Sequence, residues 1–227
     1  MTSLILKDTY IENLTEQLIS KRYTSIYIDG CNIGNNGAIK ISNLLLHDKS
    51  IKELTIKNDC VKEDGLIALG RLLETNTTII YFDIANITGY ETGIQPIIEG
   101  MKLNRTIKTL ILSNNFIYTL NYLTLSNILK RNNILEKLYL ADTVSQEGLD
   151  GIRSVISSLK SNKTLELLDI SNNCLNDDII INELQSLLLV NKTLESINIS
   201  KNVDITKDNV ISVVHFLEQN SGRVICN

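Results

Sequence analysis

The chain has 227 residues, 43% of them hydrophobic and 21% charged, the make-up of a globular protein able to bury a sizeable core. Its formal net charge of −4, with no run of Lys or Arg, argues against nucleic acid as a partner, because nucleic-acid binding needs a basic surface to displace counterions. No segment approaches the ~18 consecutive apolar residues of a membrane-spanning helix, and the apolar stretch from Leu4 to Leu6 is too short for a signal-peptide core.

The four cysteines, Cys31, Cys60, Cys174 and Cys226, show no CxxC pairing, and the only histidines are His47 and His215. No metal site or cofactor is expected from such a set. Reduced thiols fit a cytoplasmic protein.

In chain order, Ile11, Leu14, Leu18 and Ile19 fall at helical spacing. They predict a cap helix within residues 1–22 that covers the open core of the first coil. From residue 23 a block recurs in which an apolar residue is followed three and five positions later by two more. It reads Tyr23-Ile26-Ile28, Ile51-Leu54-Ile56, Ile79-Phe82-Ile84, Ile107-Leu110-Leu112, Leu135-Leu138-Leu140, Leu165-Leu168-Ile170 and Leu194-Ile197-Ile199. The starts are separated by 28, 28, 28, 28, 30 and 29 residues, a spacing that chance does not produce. Each block predicts a short strand.

Three residues beyond each block lies a slot holding Cys31, Asp59, Ile87, Asn115, Thr143, Asn173 and Asn202. An Asn or Cys there can turn inward at a tight bend and bond backbone groups that the turning chain leaves unpaired. Ile87 cannot, so an altered bend is expected at that point. A second ladder, Asn76, Asn104, Asn132, Asn162, Asn191 and Asn220, is expected to end each helix by adopting the left-handed conformation that Asn tolerates. Several of these residues sit in N-x-S/T sequons, but the repeat itself accounts for them.

Between the blocks lie amphipathic stretches of helical period. Leu66, Leu69, Leu72 and Leu73 share one face, as do Leu149, Ile152, Val155, Ile156 and Leu159. Asp64, Asp178 and Asp208 fall near predicted helix starts, where a carboxylate suits the free amides. Pro96, the sole proline, falls early in the third helix, where its missing amide is tolerated. The tail from 221 to 227 predicts a degenerate eighth strand or closing cap.

The L-x-x-L-x-L-x-x-N/C pattern at 28 to 30 residues, with a full helix per unit, resembles the leucine-rich repeats of the ribonuclease-inhibitor class. The resemblance covers residues 23 to about 220. It implies a right-handed α/β solenoid, or horseshoe, of about seven repeats. A parallel sheet would line its concave face and helices its convex face, in one domain spanning 1–227.

Within each strand the residues between the apolar positions point outward. The central outward row is Tyr27, Thr55, Asp83, Ile111, Tyr139, Asp169 and Asn198. The row before it is Ser25, Glu53, Tyr81, Thr109, Lys137, Leu167 and Ser196, and the row after it is Asp29, Lys57, Ala85, Ser113, Ala141, Ser171 and Ser200. From these rows Tyr27, Tyr81, Asp83, Ile111, Tyr139, Leu167 and Asp169 are the candidate partner-binding residues. Tyr81, Ile111, Tyr139 and Leu167 should make a partly apolar patch rimmed by polar groups. Asp83 and Asp169 are candidate charge contacts, read as solvated carboxylates when taken singly.

No catalytic constellation is legible. His47 and His215 have no nucleophile and carboxylate nearby in the pattern, and Gly34-Asn35-Asn36-Gly37 lacks the Lys-Ser/Thr of a phosphate loop. It reads as a bend leading into the first helix. Cys31 and Cys60 fall at or beside the bend slot, where burial is expected. The expected function is therefore a monomeric, non-enzymatic protein-binding module acting through its concave face. Similar repeats occur in Ran GTPase-activating proteins, in tropomodulin-like actin-capping proteins and in effectors that bacteria secrete into host cytosol, so the alternatives are a regulator of a small GTPase or a bacterial effector acting inside a host cell. The chain ends in SGRVICN rather than the acidic segment of the first of these families. It carries no actin-binding helices ahead of the repeats like those of the second.

Overall fold

The computed structural model describes residues 2–7, 16, 23–87, 93–143, 149–176, 179–202 and 224–226. The chain divides into two compact units, Met1–Phe116 and Ile117–Asn227.

In the first unit five strands, β1 (Ser3–Lys7), β2 (Ser25–Asp29), β3 (Glu53–Lys57), β4 (Tyr81–Asp83) and β5 (Thr109–Ile111), pair in chain order, all parallel. Parallel neighbours need a crossover. It is supplied by α1 (Gly34–Leu45) between β2 and β3, α2 (Glu63–Thr75) between β3 and β4, and α3 (Gln95–Gly100) between β4 and β5. In the second unit β6 (Lys137–Tyr139), β7 (Leu167–Asp169), β8 (Ser196–Asn198) and β9 (Val224–Cys226) pair in the same manner. Helices α4 (Thr119–Leu129) and α5 (Leu149–Ser158) precede and follow β6, and a π-helical turn (Ile179–Leu184) runs into α6 (Gln185–Val190) between β7 and β8.

The apolar blocks are the core. Ile26, Ile28, Leu54, Ile56, Phe82, Ile84, Leu110 and Leu112 are buried in the first unit, and Leu138, Leu140, Leu168, Ile170, Ile197 and Ile199 in the second. Leu66, Leu69, Leu72 and Leu73 of α2 are buried, as are Ile152, Val155 and Ile156 of α5 and Leu159 just beyond it, as their spacing predicts, whereas Leu149 of the same predicted face is half-buried. Asp64 sits in the first turn of α2, and Pro96 opens α3. Gly70 of α2 lies against α3: a Cβ placed there would stand 2.2 Å from the Pro96 carbonyl oxygen.

Three expectations are corrected. First, Ser3–Lys7, inside the predicted cap helix, is a strand in register with β2; the helical positions Ile11, Leu14, Leu18 and Ile19 lie outside the described residues, as do Asp178, Asp208, His215 and Asn220. Second, the Asn ladder does not adopt left-handed backbone: Asn76 and Asn191 have φ of −70° and −80°. Left-handed backbone recurs instead at Gly30, Asn58, Asn86, Asn114, Asp142, Asn172 and Lys201, one residue ahead of each bend slot, and is found also at Asn32, Gly34 and Cys174. Third, the bend at Ile87 is not altered through its left-handed residue, since Asn86 has φ 52°, as does Asn58. The Ile87 amide is satisfied from the next coil, donating to Asn115 Oδ1 at 3.0 Å.

The Asn ladder works through its side chains. Asn76 Oδ1 accepts the N–H groups of Thr78 (2.8 Å) and Ile79 (2.9 Å), while its Nδ2 donates to the Leu45 carbonyl at the end of the preceding helix (2.7 Å). Asn104 donates to Leu73, Asn162 to Leu129 and Asn191 to Leu159 in the same manner, at 2.7 to 2.8 Å. Each is buried. The nitrogen that glycosylation would modify is an internal donor at these four sequons.

Candidate functional site

The strand pleat turns alternate side chains out of the core, and the register aligns them across the sheet. In the first unit the central outward row runs Ile5, Tyr27, Thr55, Asp83 and Ile111, each paired with the next. In the second unit Tyr139 pairs with Asp169, and Asp169 with Asn198.

Tyr27 is the best-organised member. Its hydroxyl donates to Asp29 Oδ2 at 3.0 Å. The ammonium of Lys7 lies 5.3 Å from its ring centroid and that of Lys57 lies 5.2 Å away, both within cation–π range. Lys57 Nζ also stands 3.7 Å from Asp29 Oδ2. Asn58 donates to the other Asp29 oxygen at 2.7 Å, and Asn86 donates to Asn58 Oδ1 at 3.0 Å. Partial burial pushes the Asp29 carboxyl up, but the Asn58 and Tyr27 hydrogen bonds and the Lys57 and Lys7 charges outweigh it and hold the group below the usual value. Lys57 is shifted the opposite way, raised mainly by its contact with the Tyr27 side chain.

Tyr81 and Ile111 are both half-buried. Tyr81 pairs with Thr109, two residues before Ile111, so the two are diagonal neighbours on one face. Tyr139 and Leu167, also half-buried, stand in the same relation, because Leu167 pairs with Lys137. Burial raises the Tyr139 hydroxyl pKa, and the Asp169 charge adds to the shift. Asp169 is half-buried and fully engaged: one oxygen accepts the Ser171 N–H (2.9 Å) and hydroxyl (2.7 Å), and the other accepts Asn198 Nδ2 (3.1 Å).

Asp83 departs from the expectation of a solvated carboxylate. It is only 7% exposed, as its neighbour Thr55 is also buried, although both lie in the outward row. Its Oδ1 accepts the Ala85 N–H at 2.9 Å. Burial raises its pKa against that hydrogen bond and the Lys57 charge, with Asp29 adding to the rise. Cys31 is buried as expected, but Cys60 is exposed.

The pattern of outward rows missed two things. Ile5, 62% exposed, belongs to a strand that the repeat spacing did not reveal. The Tyr27–Asp29–Lys57 set was visible only as separate rows. Among the described residues, no group of three His, Cys, Asp or Glu could hold a metal ion. No helix there is long and apolar enough to cross a membrane.

No family model matches the chain. Over 120 residues it is 28% identical to leiomodin-1 of Mus musculus, an alignment that takes in 52% of this chain and 20% of that protein. The chain thus spans a fifth of that relative's length in alignment. Among solved structures, leiomodin-1 actin-binding site 2 superimposes with a TM-score of 0.51 at 17% identity, over 81% of this chain and 87% of that one. The fold is leucine-rich-repeat-like. The match agrees with the strand–helix alternation and sequential parallel pairing within each unit.

Proposed function

We propose that this chain is a non-enzymatic protein-binding module that holds its partner against the open face of its strands. The reading rests on the large aromatic and aliphatic side chains carried outward by the strands: Tyr27, Tyr81 and Ile111 on β2, β4 and β5 in one unit, Tyr139 and Leu167 on β6 and β7 in the other. Rigid aromatic groups held by a regular framework are efficient contact residues, because little side-chain freedom is lost on binding. Asp169 and its Ser171–Asn198 bonds form a polar border. Asp83, too deep to reach a partner, supports the surface from beneath.

The partner class we propose is actin. Support comes from the similarity to leiomodin-1 and from the superposition on the leiomodin-1 segment named actin-binding site 2. We further read the whole chain as one repeat domain of the ribonuclease-inhibitor-like class, a monomer acting in the cytoplasm. The repeat length and the helix in each coil support the class.

The experiment is a binding measurement of the purified chain with monomeric and filamentous actin, alongside the Tyr81→Ala/Tyr139→Ala double variant. Saturable binding by the parent and a loss of about tenfold or more in the variant are expected for central aromatic contacts. Undiminished binding by the folded double variant removes the strand face from the proposal, and no binding by the parent removes actin.

A further inference from the structure

We infer that the outer edge of β1 is a docking site for an extended strand of a partner protein, one that alternates apolar and polar residues and joins the sheet beside Ser3–Lys7. Such a site uses backbone groups at the edge of the sheet, so it goes beyond the strand-face reading and does not depend on it.

The backbone defines the edge. Tyr81 N–H donates to the Lys52 carbonyl of the coil before it at 3.1 Å, and Thr109 N–H donates to the Ile80 carbonyl at 3.0 Å. The carbonyls of Lys57 and Ile111 likewise face the coil before them, accepting from Gly30 and Ile84 at 3.0 Å. Register carries Tyr81 and Thr109 back to Ser3, Ile111 back to Ile5 and Lys57 back to Lys7. The Ser3 N–H and the Ile5 and Lys7 carbonyls therefore point away from β2. A residue in a parallel ladder turns both its backbone groups to one side, so the Ile5 N–H points outward too. Among the described residues no strand pairs with that side of β1. A row of such groups is a template for a further strand.

The side chains are open at the same end. Leu6 is half-buried, whereas its partners in register, Ile28 and Ile56, are 0% exposed. Ile5 is 62% exposed, against 4% for Thr55 and 7% for Asp83, which have a strand on either side. Edge strands are commonly protected by being short or by carrying charge. β1 instead has five residues where β4 to β8 have three, and its one charge, Lys7, stands at its end. An added strand would bond the outward backbone groups, cover Leu6 with one apolar side chain and flank Ile5 with another residue of the opposite face. The pleat then dictates alternation in the partner. No charge is selected, because Lys7 and Lys57 are matched by Asp29 and Asp83.

The test follows amide hydrogen exchange in the isotopically labelled full chain with two synthetic peptides, Lys-Ser-Val-Thr-Val-Thr-Lys and Lys-Ser-Val-Pro-Val-Pro-Lys. The second keeps the valines and lacks two of the N–H donors. The first peptide should slow exchange of the Ile5 amide by about tenfold when it fills roughly nine sites in ten. It should leave the Leu6 amide, which faces β2, at its own rate, and the proline peptide should slow neither. Ile5→Pro removes an N–H that serves no internal bond, a change that edge strands accept, and should weaken the first peptide at least about fivefold. An equal response to both peptides, slowing at Leu6 but not Ile5, or undiminished affinity in a folded Ile5→Pro chain overturns the inference. So does an Ile5 amide already protected without peptide, which would mean that the edge is covered by the chain itself or by a second copy. The peptide pair decides the matter on the parent chain even if the proline variant does not fold.

Discussion

The side chain of Asn173 joins two successive coils by donating from Nδ2 to the Leu140 carbonyl at 2.6 Å. Its Oδ1 accepts the Thr143 N–H at 2.8 Å. The side chain therefore satisfies a buried donor and a buried acceptor that belong to the preceding bend. Asn173→Leu fills similar space and serves neither, so it should lower stability by about 2 to 3 kcal/mol. A thermal or urea melt of the variant checks this, and a parental midpoint would contradict the role assigned to the bend.

Asn191 performs a different task at the end of α6. Its Nδ2 donates to the Leu159 carbonyl at 2.7 Å, and its Oδ1 accepts the Leu194 N–H at 2.8 Å. Asn191→Asp keeps the acceptor and points a second oxygen at a carbonyl. The variant should lose roughly 2 kcal/mol or more at neutral pH. Protonation of the new carboxyl restores a donor, so the deficit relative to the parent should narrow in acid. Paired melts at two pH values give the answer, and a deficit independent of pH would count against the contact.

Gly70 sits where α2 and α3 approach too closely for a side chain, with the Pro96 carbonyl oxygen 2.2 Å from an added Cβ. Gly70→Ala would ordinarily favour a helix. Here overpacking against backbone should dominate and cost about 1 to 3 kcal/mol. Chemical denaturation of the variant decides between the two effects, which have opposite signs.

Burial raises the pKa of Asp83 above the ordinary value of 3.8, so the folded chain holds this proton more tightly than the unfolded chain. The ionised carboxylate therefore costs stability at neutral pH. That cost vanishes below the unfolded pKa, appears as pH rises through the folded one and is constant above it. Asp83→Asn retains an oxygen for the Ala85 N–H and removes the charge. It should raise the melting temperature at pH 7, and its advantage should shrink as pH falls toward 3.8. A variant less stable than the parent at neutral pH would show that the Lys57 charge outweighs burial.

The strands, their register and the buried block residues were legible because one apolar period fixes all three. The first strand escaped because Met1-Leu4-Leu6 fits the block but stands 22 residues ahead of Tyr23 rather than 28. The Asn ladder was found, but its mechanism was not. A residue's tolerance of left-handed backbone says nothing about whether its side chain has better partners, and Asn76 finds them in Leu45, Thr78 and Ile79. The left-handed ladder itself was hidden by its varied composition of Gly, Asn, Asp and Lys. The outward rows were legible as rows. Their depth was not, as Asp83 and Thr55 show, because alternation gives direction and not accessibility.

The two interlocking ladders also constrain how such a chain can change length. Asn76, Asn104, Asn162 and Asn191 each reach back to the coil before, and a left-handed residue stands one step ahead of every bend slot. A residue inserted or deleted inside a coil disturbs only the ties that span it, and the 30- and 29-residue spacings show that a coil absorbs one or two extra residues with its ties intact. Removing or duplicating a whole 28-residue unit leaves the spacing of the ties intact. Growth by entire coils, with small length changes placed away from the ties, is the route this architecture favours.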